Sequence, residues 1–178
     1  MKTSLKIFAL ALVLVGFGMN VNAQVTNSAD ANATATVKKA LTIVKVNNLA
    51  FGTFAGLNTE ASTVAVATNN SRASSTSDII GNDGAAATFT ITGEPSSIIA
   101  ITLPSSDIVV ADLAGTDPGA AMSITSSSFI TDAANNAAVT LTAGTGVVTL
   151  KVGATLNVGI AQKAGTYSGS FAVSVNYN

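Results

Sequence analysis

The chain has 178 residues, with eight basic and nine acidic side chains and no histidine, cysteine or tryptophan. Without histidine or cysteine, Ser-His-Asp and Cys-His catalysis, disulfide stapling and the common zinc ligand sets are excluded. The formal charge of −1, with no basic stripe, leaves nucleic acid without an electrostatic footprint.

Lys2 and Lys6 precede an apolar run at 7–19, and "NVNAQ" places Val21 and Ala23 at −3 and −1 of a cleavage point before Gln24. This pattern reads as a secretory signal peptide over residues 1–23. The apolar run is too short to span a bilayer as a helix. No second long apolar run follows, so no transmembrane segment is expected after cleavage, and no cysteine is present to carry a lipid. The expected location is secreted or cell-surface, with periplasmic transit. About 155 residues remain, the size of a single domain over 24–178. They keep six basic and all nine acidic residues, a formal charge of −3.

Residues 29–38, "ADANATATVK", put Ala29, Ala31, Ala33, Ala35 and Val37 on one face and polar residues on the other. Such alternation marks a half-buried strand, here a first strand or an N-terminal arm over 24–38. In "ALTIVKV" the phase becomes ambiguous, which predicts a bulge or sheet switch near Lys38–Ala40. Leu49, Phe51 and Phe54 then cluster around Gly52, and "STVAVAT" at 62–68 predicts a short strand. Residues 69–86 read as the longest loop. Clean alternation returns at 87–93 (Ala87, Phe89, Ile91) and in "IIAITLP" (Ile99, Ile101, Leu103). "DIVVADL" and "AMSITSSSF" follow, then Val139 with Leu141, Leu150 with Val152, and Leu156 with Val158. Pro95, Pro104 and Pro118 each sit among turn residues and break the strands. The most regular stretch comes last: from Tyr167 to Tyr177 the odd positions read Tyr, Gly, Phe, Val, Val, Tyr. About eight to ten short, mainly antiparallel strands separated by turns predict an all-β protein, an immunoglobulin-like β-sandwich.

The segments "ATATVKKALTIVKVNNLAFGTFAG" at 33–56 and "LKVGATLNVGIAQKAGTYSGSFAVSVNY" at 150–177 resemble the two ends of a secreted bacterial domain family of unknown function, number 4402, and "ITLPSS" at 101–106 resembles its middle. The closing "AGTYSGSFAVSVNY" is also similar to the last strand of spore-coat-U-like and archaic chaperone–usher pilin subunits. The resemblance implies an immunoglobulin-like sandwich with an extracellular structural or adhesive role and carries over no catalytic residue. Two features differ from those pilins: their usual cysteine pair is missing, and the arm carries alanines where theirs hold larger apolar side chains.

Asp107, Asp112 and Asp117, like Asp78 and Asp83, lie in turns, where aspartate ordinarily bonds nearby backbone. "DIIGNDG" offers Asp78, Asn82 and Asp83 to calcium, but its spacing is not that of an EF-hand loop. Asn32-Ala-Thr34 and Asn69-Asn-Ser71 match the N-glycosylation pattern without further support. Phe51, Phe54, Phe89, Phe129 and Phe171 alternate with small polar residues and are expected in the core. Tyr167 opens the last strand, where immunoglobulin-like domains place a corner tyrosine bonded to upstream backbone.

The reading is an exported, non-enzymatic structural or adhesive surface protein, a pilus-like fibre subunit that assembles by strand complementation. Its pairing residues are Ala29, Ala31, Ala33, Ala35 and Val37 of the arm and Phe171, Val173, Val175 and Tyr177 of the last strand. The expected partner is a second copy, head to tail, or a surface assembly machinery; no cofactor and no metal is expected. The alternative is a self-contained binding module for glycans or a host surface, using the loops at 69–86 and 104–120. An enzyme is not expected, because the usual catalytic constellations cannot be assembled from these residues.

Overall fold

The computed structural model describes residues 27–115, 121–133 and 138–178. The leader expected at 1–23, with Asp117 and Pro118, lies outside them. The chain divides into two units, residues 1–36 and 37–178. In the first, residues 27–36 are exposed and carry no strand. The alternation at 29–38 therefore does not by itself make a strand: alanine methyls offer too little apolar area to fix one, at ~0.8 kcal/mol per buried CH₂.

The second unit is all-β. In chain order its strands are β1 (Thr42–Asn47), β2 (Thr53–Phe54), β3 (Ser62–Val66), β4 (Arg72–Ser74), β5 (Ile79–Ile80), β6 (Ala87–Thr92) and β7 (Ile98–Thr102). There follow β8 (Ile108–Asp112), β9 (Met122–Ile124), β10 (Ile130–Thr131), β11 (Val139–Thr140), β12 (Val147–Val158), β13 (Tyr167–Ser168) and β14 (Ser174–Tyr177). One 3₁₀ turn, Ser126–Ser128, precedes β10. Five of these strands have only two residues, and the nine longer ones include β4, which no alternating segment marked.

One sheet runs β1-β6-β12-β9-β8-β13, with β3 and β10 also on β12 and β4 on β3. A second runs β11-β7-β14, and β2 with β5 forms a separate ribbon. Every pair is antiparallel. Alternation places Ile91, Phe89, Leu150 and Val152 on the inner face of the first sheet. They pack in one buried cluster with Ile99 and Ile101 of β7 and with Leu141. This is the sandwich-like core expected from the period-two pattern.

Strand β12 is the axis of the unit. Its twelve residues span about 40 Å at the usual strand rise. Residues 147–152 pair with β6 and residues 154–158 with β3. The change of partner falls at Gly153, where a Cβ would collide with the Val66 carbonyl oxygen. The two ends of β12 define two poles. At one, Val147 meets the end of β6, β1 begins, β7 begins and β14 ends. We call this the arm pole, because the chain enters the unit there at Val37. At the other, Val158 meets Ser62, and β8 ends opposite the start of β13. The loops at 55–61, 113–115 and 159–166 gather there, joined by the Ala161 N–H to Leu57 carbonyl bond; this is the loop pole.

Three sequence expectations change. The phase slip lies at Lys45–Asn47, not Lys38–Ala40: Val46 is the extra residue between the pairs Lys45–Phe89 and Asn47–Thr88. The final stretch is not one strand. Tyr167 and Ser168 pair with β8 in the first sheet, and Ser174–Tyr177 pair with β7 in the second. Residues 169–173 cross between them, and a Cβ on Gly169 would crowd the Val109 carbonyl. Finally, the presumed loop at 69–86 contains β4 and β5.

Candidate strand-pairing site

Strand β14 ends the three-stranded sheet and, among the described residues, pairs only with β7. Its other edge faces β1, which in turn pairs only with β6. Along the closing segment Phe171, Val173, Val175 and Tyr177 are half-buried, while Ala172, Ser174 and Asn176 are exposed. Leu41 and Ile43 across the gap are half-buried too. All six touch the core cluster without being covered by it. An edge with unpaired N–H and C=O groups above partly covered apolar side chains is a template for one more strand.

The two facing edges are not equivalent. By register Lys45 stands opposite Phe89, on the core side of β1, and the bulge at Val46 follows it. Lys45 is exposed, and a lysine on the edge and a bulge are both devices that blunt an edge against pairing. No such feature interrupts the register of β14 with β7.

Phe171 anchors the crossing segment. Its ring lies 5.0 Å from that of Phe129, tilted by 48°, and 6.5 Å from that of Phe89, edge-on at 75°. Tyr177 ties three parts of the arm pole together. Its hydroxyl donates to the Lys39 carbonyl at 2.7 Å and accepts from the Glu94 backbone N–H at 2.6 Å. The Lys38 ammonium sits 5.2 Å from the Tyr177 ring centre, and the Lys39 N–H donates to the Glu94 carboxylate at 3.1 Å. Gly93 makes this possible, because a Cβ there would strike the Tyr177 hydroxyl. At the loop pole Tyr167 donates to the Lys163 carbonyl and accepts from the Gln162 amide, both at 2.8 Å.

Of the residues expected to pair strands, Phe171, Val173, Val175 and Tyr177 thus lie together on one half-covered segment. Ala29, Ala31, Ala33 and Ala35 belong to the other unit, and Val37 is 93 % exposed where the chain enters β1.

A second cluster was not foreseen. The side chain of Arg72 is 3 % exposed and pairs with Asp83 at 2.5 Å. It also donates to the Thr53 carbonyl at 2.7 Å, while its Nε has no protein acceptor. Asp83 accepts from the Thr53 N–H and hydroxyl. Those bonds, then the Arg72 charge, hold its carboxyl below the ordinary aspartate range. Gly52 and Gly84 leave the space in which the pair lies. Asp83 is thereby committed to the protein, and no group of three or more acidic side chains converges among the described residues.

Two shallow concavities lie on the surface of the described residues. One, of about 450 Å³, is lined by Ile101, Leu103, Pro104, Ser105, Ser127 and Phe129. The other, of about 380 Å³, lies at the loop pole between Asp112–Ala114 and Ala164–Thr166. No helix among the described residues is long and apolar enough to cross a membrane.

Comparison with curated proteins and with solved structures finds no match. A family model does match, that of the domain of unknown function DUF4402, over residues 41–177. That span runs from the residue before β1 to the last residue of β14, so it takes in every strand and leaves the arm outside. The chain belongs to the DUF4402 family.

Proposed function

We propose that this protein is an exported, non-enzymatic structural or adhesive surface protein whose copies join by strand addition. Residues 24–37 of one copy complete the β14 edge of the next. The observation that carries the reading is the unpaired edge of β14 over the half-buried row Phe171, Val173, Val175 and Tyr177. Main-chain bonds supply the affinity in such pairing, and alternate side chains set the specificity. The arm meets the second requirement with Ala29, Ala31, Ala33, Ala35 and Val37. The resemblance read in "AGTYSGSFAVSVNY" to the last strand of spore-coat-U-like and chaperone–usher pilin subunits points the same way, as does the leader expected at 1–23.

The test is light scattering on secreted protein, with the amino terminus sequenced. The expected product starts at Gln24 and assembles, whereas a chain lacking residues 24–37 stays monomeric and melts cooperatively. A full-length mature chain that remains monomeric at high concentration would sink the reading.

The open cleft of about 450 Å³ favours a second reading, a binding module for glycans or a host surface, because Pro104 and Ser105 of the predicted binding loop form its rim. A glycan array probed with wild type and a Ser105→Trp variant separates the two. Retention that the variant abolishes supports the module, and a blank array counts against it.

A further inference from the structure

The arm leaves the folded unit at the arm pole, and β14 runs from the loop pole toward that same pole. An arm added to the β14 edge of another copy therefore has two directions, with different outcomes. Parallel to β14, it brings two arm poles together, and reciprocal exchange closes a two-fold dimer. Antiparallel to β14, it brings the arm pole of one copy against the loop pole of the next, an open head-to-tail contact.

Charge separates the two. The arm pole carries exposed Lys38 and Lys39, with the Glu94 carboxylate already bonded to the Lys39 backbone. The loop pole carries exposed Glu60, half-buried Asp112 and exposed Lys163. Pole-to-pole closure would oppose two lysine pairs, whereas head-to-tail stacking brings the lysines toward the exposed Glu60 carboxylate. The loop pole also shows what such a contact covers: Leu113, which lines the shallow cavity of about 380 Å³, is 69 % exposed, and Ile160 in the neighbouring 159–166 loop is 60 % exposed. Antiparallel pairing is itself slightly more stable per residue.

From this we infer that the loop pole, with Leu113, Ile160 and Glu60, is the docking surface for the Lys38–Lys39 pole of a second copy. The inference rests on the strand-addition reading and adds its direction and its second contact.

Because the chain has no cysteine, introduced thiols report contacts without background. The test compares Val37→Cys, Ile160→Cys and the double variant in the full mature chain, oxidised after assembly. The expected result is a cross-linked ladder from the double variant alone. Adding Lys38→Glu and Lys39→Glu should lower ladder yield about tenfold, the scale of an attractive contact made repulsive, and Glu60→Lys should restore part of it. Dimers from Val37→Cys alone would show pole-to-pole closure and overturn the inference. So would assemblies seen by light scattering that give no ladder, while leaving strand addition standing. Protein that neither assembles nor cross-links would overturn strand addition as well.

Discussion

Tyr177 and Asp83 show how single polar groups hold a domain without disulfides. The Tyr177 phenol spends both its proton and a lone pair on backbone, linking the last strand to the start of the first and to the β6–β7 turn. A typical hydrogen bond contributes ~1 kcal/mol net, and an orphaned buried donor costs more. Tyr177→Phe should therefore lower stability by roughly 1–3 kcal/mol, read as a lower urea midpoint with unchanged slope. Asp83 acts through charge. Its folded pKa lies below the ordinary aspartate value, chiefly because the Thr53 N–H and hydroxyl favour the carboxylate, with a smaller contribution from the Arg72 charge. A group with a lowered folded pKa adds stability that is complete above its unfolded pKa and disappears as pH falls through the folded one. Wild type should therefore exceed Asp83→Asn in melting temperature at neutral pH, and the gap should close as pH falls below about 4. A gap that stays constant from pH 7 to pH 2 would refute the assignment.

At the level of elements, Gly153 lets one strand serve two partners in succession. A side chain there would push against the Val66 carbonyl and the segment beyond it. Gly153→Ala should cost about 1–3 kcal/mol, as overpacking does, and hydrogen exchange should speed up along 62–66 more than along 87–92. The strands that flank this point, 62–66, 87–92 and 147–158, were legible as alternation because their inner residues are fully buried on one side. β1 was not, since Val44 and Val46 are 60 % and 55 % exposed. On an edge strand burial does not choose a phase, so the bulge was expected several residues early. The division of the closing stretch into β13 and β14 was equally hidden. Its odd residues other than Gly169 are half-buried, and alternation reports the face of a residue but not the sheet to which its backbone bonds. The Arg72–Asp83 pair left one usable trace, the only arginine of the chain placed eleven residues before an aspartate in the glycine-flanked "GNDG". The composition of 69–86 reads as loop because polar residues there bond one another, not because the segment lacks strands.

On the scale of the molecule, the strand addition proposed above makes strand direction the choice between a chain of copies and a closed pair. Both termini of the folded unit meet at the arm pole, held by Tyr177, so the arm always starts from one fixed place. Head-to-tail growth then requires the amino end of an incoming arm to reach the arm pole of its acceptor and its carboxyl end to lie at the loop pole. A synthetic peptide of residues 24–37 carrying an amino-terminal fluorophore reports this directly. The acceptor is the chain lacking its own arm, with a quencher on a cysteine introduced either at Pro95, in the β6–β7 turn, or at Ile160, in the loop pole. A fourteen-residue arm spans about 46 Å at the usual strand rise, so quenching differs sharply between the sites. Antiparallel addition should give strong quenching with the Pro95→Cys acceptor and weak quenching with Ile160→Cys. The reverse order would mean parallel addition and a closed dimer, and equal quenching would mean that the peptide binds away from the β14 edge. A charge-balanced stack of poles and an antiparallel strand are the same statement in two measurements, because a rigid unit with one arm exit cannot have one without the other.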